Sequence, residues 1–335
     1  MKNLKIIVAL LSAMLISSAS VAGELTVTGN AKATMNIGSS DSAAAAQETG
    51  KTLSVENELV FGASGELDNG TTWKYSMQLD AGAVDDPTIT LTNNLGTIGI
   101  FGGAGGLNAK QFGRGNGAGE FQDPADIGAV NNIQYHTPAG LLPLGIVGKV
   151  SKGFAGAATN KPGDAPLASA GVGNSMSYSI DIAPIENLAL QASYTTVDQT
   201  TGIAQDGQSQ ESGAIGAKYT MGNFTAGYSR GYHAPASPKS AASGTVSLVN
   251  EYINNSYSIG VKVNDNLSVS YGKEESVANY TTDTTADVTV EIDVIQAAYT
   301  MGGLTTSVSV KNVDNLSYDA TKDTKEATIF LTLAF

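Results

Sequence analysis

Residues 326–335 read EATIFLTLAF. Ala327, Ile329, Leu331, Leu333 and Phe335 fall at every second position, which on a strand puts them on one face, and most positions between them are small or polar. A strand with one continuous apolar face is what lipid contact requires, since a tilted strand crosses the hydrocarbon layer in about 9–11 residues. The same alternation also describes a half-buried strand of a soluble sheet, so the rest of the chain must choose between the two.

The other end points to export. Residues 1–22 begin with Lys2 and Lys5, continue in an apolar run at 6–16, and finish on small residues with Ser20 and Ala22 at the minus-three and minus-one positions. This is the pattern of a secretory signal peptide, so the expected mature domain is 23–335. The apolar run is short for a membrane-crossing helix, and no later stretch approaches the roughly 18 apolar residues that such a helix needs. A secreted chain without such helices can cross a bilayer only as a closed sheet. The chain has no cysteine, which excludes thiol nucleophiles, thiolate metal sites and disulfides. It carries 18 Lys and Arg against 31 Asp and Glu, and loss of Lys2 and Lys5 leaves 16 basic residues, a net charge of about −15. That balance argues against a nucleic-acid partner. It fits solvated acidic loops, and also a channel interior that favours cations.

Between the ends, alternating segments are separated by turn residues, with no helical periodicity and no linker, as in a single all-β domain. Short separators include DNG at 68–70, NNLG at 93–96, PIEN at 184–187, MGN at 221–223, NDN at 264–266 and MGG at 301–303. Their Asn, Asp and Gly tolerate the positive φ of tight hairpins. Longer stretches rich in Gly, Ala, Ser, Asp and Pro lie at 38–50, 103–129, 154–172, 199–210, 234–247 and 277–286. Short turns at one end and long loops at the other are the asymmetry of a transmembrane antiparallel β-barrel. The spacing predicts about 16 strands, at 24–37, 52–67, 71–81, 88–92, 97–102, 131–137, 142–152, 175–183, 188–197, 212–220, 224–232, 248–263, 267–275, 287–300, 304–313 and 324–335. A repeated hairpin, AKYTMGNFT at 217–225 and AAYTMGGLT at 297–305, places Tyr219 and Tyr299 at the short-turn interface as part of an aromatic belt.

The leader, the aromatic last residue, the mature length, the strand number and a long third loop together resemble the general trimeric porins of Gram-negative outer membranes, over the whole mature chain. One departure is Leu333, where many members carry a second aromatic. The resemblance implies an outer-membrane location and a water-filled channel for passive diffusion of ions and small hydrophilic solutes. It also implies a homotrimer and recognition of the Phe335 end by the barrel assembly machinery. The segment LGTIGIFG at 95–102 resembles the strand before the constriction loop of such channels. By that resemblance 103–129 folds inward, with Glu120, Asp123 and Asp126 as acids and Lys110 and Arg114 as bases. Acids opposed to bases across an eyelet make a transverse field that orients polar solutes.

Parity supplies the wall. With Trp73, Tyr75, Met77 and Leu79 facing lipid, Lys74 faces inward. The same alternation is read as placing Lys32, Glu56, Glu58, Lys149, Lys218, Lys262, Glu291 and Asp293 inside. The acidic excess gives the expectation of cation preference. Two other readings compete: a barrel hydrolase, and a soluble or surface β-sandwich that binds a partner. Only His136 and His233 are available as catalytic bases, each near a proline and without an obvious nucleophile beside it, so no enzyme activity is expected. GRGNGAG at 113–119 lacks the Gly-Lys-Ser/Thr ending of a phosphate loop, and Asp85 and Asp86 are two adjacent turn acids, so no cofactor or metal is expected.

Overall fold

The computed structural model describes residues 24–42, 45–80, 83–102, 131–154, 174–197, 209–234, 249–280 and 286–335. Sixteen strands follow in chain order. They are β1 Glu24–Ser42, β2 Ala45–Glu66, β3 Thr72–Asp80, β4 Ala83–Asn93, β5 Gly96–Phe101, β6 Asn132–His136, β7 Val147–Gly153 and β8 Ser175–Ile185. The second half continues as β9 Leu188–Val197, β10 Glu211–Met221, β11 Phe224–Ala234, β12 Val249–Lys262, β13 Leu267–Tyr280, β14 Val288–Met301, β15 Leu304–Asp314 and β16 Lys322–Ala334. Each strand pairs antiparallel with its neighbours in sequence, and β1 pairs with β16, so the sheet is a closed barrel. The expected strand number and architecture hold.

The hairpin turns form where the sequence supplies residues for a left-handed backbone. Gly70, Gly96, Gly222 and Gly302 have φ of +77°, +121°, +56° and +60°, and Asn187 has +66°. A side chain at Gly96 would also collide with the His136 carbonyl oxygen, 2.4 Å from where its Cβ would stand. These turns gather at one end of the barrel, with Glu24 and Phe335, and we call it the turn end.

The seam is where the C-terminal segment acts. β16 runs against β1 from Asn30 opposite Ala334 to Ser42 opposite Lys322. Beyond Ala334, Phe335 and Gly29 exchange both backbone hydrogen bonds, at 2.8 and 3.0 Å. A Cβ at Gly29 would lie 2.9 Å from the Phe335 ring, 2.8 Å from Leu59 and 2.7 Å from the Glu58 carbonyl oxygen, so only glycine lets the ring lie across β1. Without that pairing two full strand edges would stand open, which hydrocarbon does not tolerate.

Boundaries differ from expectation at the turn end of β7, which starts at Val147 and not at 142 because Pro143–Gly145 forms a 3-10 turn, and at the loop end. The stretch 38–50, expected as a loop, continues the β1–β2 hairpin: Gly38 pairs with Gly50, Ser39 with Thr49 and Ser40 with Glu48. The stretch 277–286 is likewise part strand, since β13 runs to Tyr280. β4 is longer than the expected 88–92. The β1–β2 extension is made of Gly, Ser, Thr, Ala, Gln and charged residues, and the β4 and β13 extensions are too short to repeat a pattern, so all three lack the apolar alternation by which the rest is recognised, while backbone pairing needs no apolar side chain. The third loop, 103–130, lies outside the described residues, as do 1–23.

Gly29→Leu is expected to displace Phe335 and weaken the seam, lowering the yield of heat-modifiable folded barrel on a gel, whereas Gly50→Ala, in open space on β2 and without a positive φ, leaves most of it intact.

Candidate functional site

Residues opposite one another in an antiparallel pair share a face, so the register sorts the wall into an outer and an inner surface. Met35, Leu53, Ile329 and Val308 stand opposite one another across β2, β1, β16 and β15 and are 39 to 76% exposed, which marks the lipid side. The C-terminal alternation is therefore confirmed: Ala327, Ile329, Leu331 and Leu333 face out, and Thr328, Phe330 and Thr332 face in. Tyr219 and Tyr299 lie outward, two residues before their turns, as expected of the belt. A second row of rings stands higher, with Tyr178 opposite Tyr194 and Tyr228 opposite Tyr257, the latter pair with centroids 5.3 Å apart.

Lys32, Glu56, Glu58, Lys74, Lys149, Lys218 and Lys262 all have inward register. Glu291 and Asp293 do not. Asp293 pairs with Lys273 and Asn312, and Glu291 with Glu275 and Asp314, on the face that carries Ile295 and Tyr299. The expectation failed because β14 has two apolar faces at different heights. Near the turn end Ala297, Ile295 and Tyr299 meet lipid; near the loop end the opposite set, Val290, Ile292 and Val294, is buried on the inner surface. Glu291 and Asp293 lie above the outward apolar band. There Lys273 binds Glu275 at 2.8 Å and Glu291 at 3.2 Å, and the Tyr271 hydroxyl donates to Asp293. Arg230, Asn255, Lys273 and Glu275 occupy the same zone, each on the loop-end side of an outward tyrosine, so no charge is forced into hydrocarbon.

The inner surface has two textures. A hydroxyl and amide lattice covers β6 to β13. The Thr195 hydroxyl donates to Ser177 at 2.9 Å, Gln134 to Asn132 at 2.8 Å, Ser256 to Asn254 at 3.0 Å and Asn254 to Glu274 at 2.5 Å. His136 is tied to Gln134 at 2.9 Å and His233 to Gln210 at 3.1 Å. Charges concentrate instead on β15, β16, β1, β2 and β3. Lys311 binds Glu326 at 3.0 Å, while Lys32 lies 3.9 Å from Glu56 and 4.8 Å above the Phe330 ring. Eight strands round, Lys149 pairs with Asp181, which also accepts from Gln191 at 2.7 Å. At the turn end a cavity of about 540 Å³ is lined by Thr220, Thr225, Ser268, Gln296 and the Lys262–Asp265 pair, 3.2 Å apart.

Parity reading missed Lys311, Glu326 and Asp80, although the signal was present: each alternates with apolar neighbours on its own strand. Among the described residues the inward bases include Lys32, Lys74, Lys149, Lys218, Lys262, Lys311 and Lys322, and the inward acids include Glu56, Glu58, Glu66, Asp80, Asp181, Glu274 and Glu326. The two sets are nearly equal in number, and Lys32–Glu56, Lys149–Asp181 and Lys311–Glu326 are paired locally, so the described wall by itself is close to neutral. Lys110, Arg114, Glu120, Asp123 and Asp126 lie outside the described residues.

A sixteen-strand closed barrel with an apolar outside and a hydrated, hydroxyl-lined inside defines an outer-membrane channel protein. Residues 8–333 match the family model of the Gram-negative porins, and the chain belongs to that family. Among solved structures it is similar to Salmonella typhi OmpF in complex with daunomycin, at 14% identity and TM-score 0.67, over 95% of this chain and all of that one. It is similar also to an anion-selective porin from Comamonas acidovorans, at 13% identity and TM-score 0.64 over 93% of this chain and all of the other. Outer-membrane-expressed OmpT of Vibrio cholerae matches at 12% identity and TM-score 0.62, over 95% of this chain and all of that one. No curated protein matches the chain.

Val308→Arg, midway along the lipid face, is expected to cost about 2–4 kcal/mol in urea unfolding from lipid vesicles. Lys311→Leu, on the inner face of the same strand, is expected to leave folding nearly unchanged.

Proposed function

We propose that the chain forms a passive diffusion channel for ions and small hydrophilic solutes, delivered to the outer membrane after removal of residues 1–22. The observation that carries this reading is the inner wall. Its hydroxyls, amides and ion pairs offer water a largely polar surface, with no apolar plug across the barrel among the described residues. Both histidines are held by side-chain amides on that wall, which supports a channel and not a hydrolase. The small solutes themselves are the only ligands this reading requires.

Cation preference is the finer part of the proposal. It rests on the third loop, because the described wall is nearly balanced while Glu120, Asp123 and Asp126 outnumber Lys110 and Arg114 in 103–129. An anion-selective relative shares the fold, so the sign depends on local charges and not on the barrel.

The homotrimer is proposed from the outer surface. Trp73 and Tyr75 on β3, Tyr135 on β6 and the tyrosines of β8 to β14 make an interfacial girdle. Among the described residues β15, β16, β1 and β2 carry no outward tyrosine or tryptophan; their faces are mostly aliphatic, as at Val308, Ile329, Leu331, Met35 and Leu53, with Ala31 and Ala33 between them on β1. A sector without girdle tyrosine or tryptophan, where Ala31 and Ala33 permit close approach, suits contact with another copy and not with headgroups. Recognition of the Phe335 end by the assembly machinery belongs to the same reading.

In planar bilayers the purified protein is expected to open in groups of three with ohmic current. A salt gradient should give a reversal potential of the cation-selective sign, moved toward zero by Glu120→Gln with Asp123→Asn and Asp126→Asn. An anion-selective wild type would overturn the selectivity, and a silent, fully folded barrel would overturn the channel.

A further inference from the structure

The connection between β15 and β16 stands on the inner wall of the barrel. Val290, Ile292, Val294 and Val313 face inward and are at most 2% exposed, and what covers them in the described structure is Leu316 and Tyr318 of that connection. The turn is fixed from several strands. The Tyr318 hydroxyl and the Ser276 hydroxyl of β13 are 2.7 Å apart, and the Tyr318 ring centroid is 5.1 Å from that of Tyr252 on β12. The Asn315 amide donates to the Thr289 carbonyl of β14 at 2.7 Å, and the Asn315 backbone N–H to Asp323 of β16 at 3.1 Å. Tyr318 itself has φ of +59°, a left-handed backbone that a bulky residue adopts only when its surroundings hold it there. Burial pushes its phenol up to about 12.

A turn packed on the inner face of a closed wall takes its volume from the lumen. The turn therefore narrows the loop-end half of the lumen from the side of β12 to β15, and it does so without net charge. Its surface there is the phenols of Tyr318 and Tyr252 and the paired Asp319 and Lys322, 2.9 Å apart; Asp319 is held down to about 2 by Lys322 and Thr321. We propose that this turn is a fixed, uncharged ledge that narrows the loop-end half of the channel, with Tyr318 as its limiting side chain, in addition to any constriction made by the charged third loop. The inference rests on the channel reading and adds to it a second, uncharged sieve acting on bulky hydrophilic solutes of either sign.

The test uses the full chain in planar bilayers. Tyr318→Ala is expected to raise single-channel conductance and to shift the largest polyethylene glycol that enters the pore upward, with the reversal potential unchanged. The chain has no cysteine, so Tyr318→Cys carries a single thiol. A bulky neutral thiol reagent is expected to lower conductance through it, while Thr306→Cys, on the lipid face, shows no block. Conducting Tyr318→Ala channels with the wild-type polymer limit, or labelled Tyr318→Cys channels with unchanged current, overturn the ledge. If Tyr318→Ala does not fold, the labelling result on Tyr318→Cys decides alone. A wild type that carries no current overturns the channel reading instead, so the two failures are distinguishable.

Discussion

Every other feature of this protein depends on the closure of the sheet by hydrogen bonds between β1 and β16. In hydrocarbon an unpaired backbone N–H or C=O has no water to turn to, and a sheet with free edges is not a structure that lipid permits. The seam extends from the Phe335–Gly29 pair to Ser42 opposite Lys322, and it converts sixteen strands from a ribbon into a wall. Only a closed wall has an inside. The hydroxyl lattice, the ion pairs and the inward turn between β15 and β16 all exist on a surface that the seam creates.

Closure also separates two chemistries that a single strand must carry at once. Outward positions meet chain ends of lipid in the middle and headgroups at the rims, so they read aliphatic in the middle and tyrosine at the borders. Charges such as Lys273 and Glu275 appear only beyond the upper tyrosines. Inward positions that meet water read Ser, Thr, Gly and charge, while on β14 and β15 the inward Val290, Ile292, Val294 and Val313 pack beneath the β15–β16 turn. Local pairing of Lys311 with Glu326 and of Lys149 with Asp181 keeps the wall near neutrality, which leaves the sign of selectivity to whatever charges stand at the narrowest point.

The parity rule succeeded where one face of a strand was uniformly apolar over its length, as in β16 and β3, and failed on β14. There the sequence VTVEIDVIQAAYTM contains two apolar stripes of opposite parity, one for lipid near Tyr299 and one for the β15–β16 turn near Val290. Nothing within the strand tells which stripe meets lipid; the partners across β13 and β15 do. In the same way, the extended β1–β2 hairpin was read as loop because beyond the membrane neither face needs apolar side chains.

The sequence by itself determined the all-β class, the strand number, most turn positions and the inward parity of most lysines and glutamates named from it. All of these follow from period-two alternation and from residues that admit positive φ, which are local properties of the chain. Tertiary structure alone decided which of two apolar stripes faces lipid, which charges pair across strands, why Gly29 has no side chain, and that Leu316 and Tyr318 lie inside the barrel. Those outcomes depend on register and on contacts between residues far apart in the chain, and a register shift of one residue would exchange inside for outside without changing a letter of the sequence.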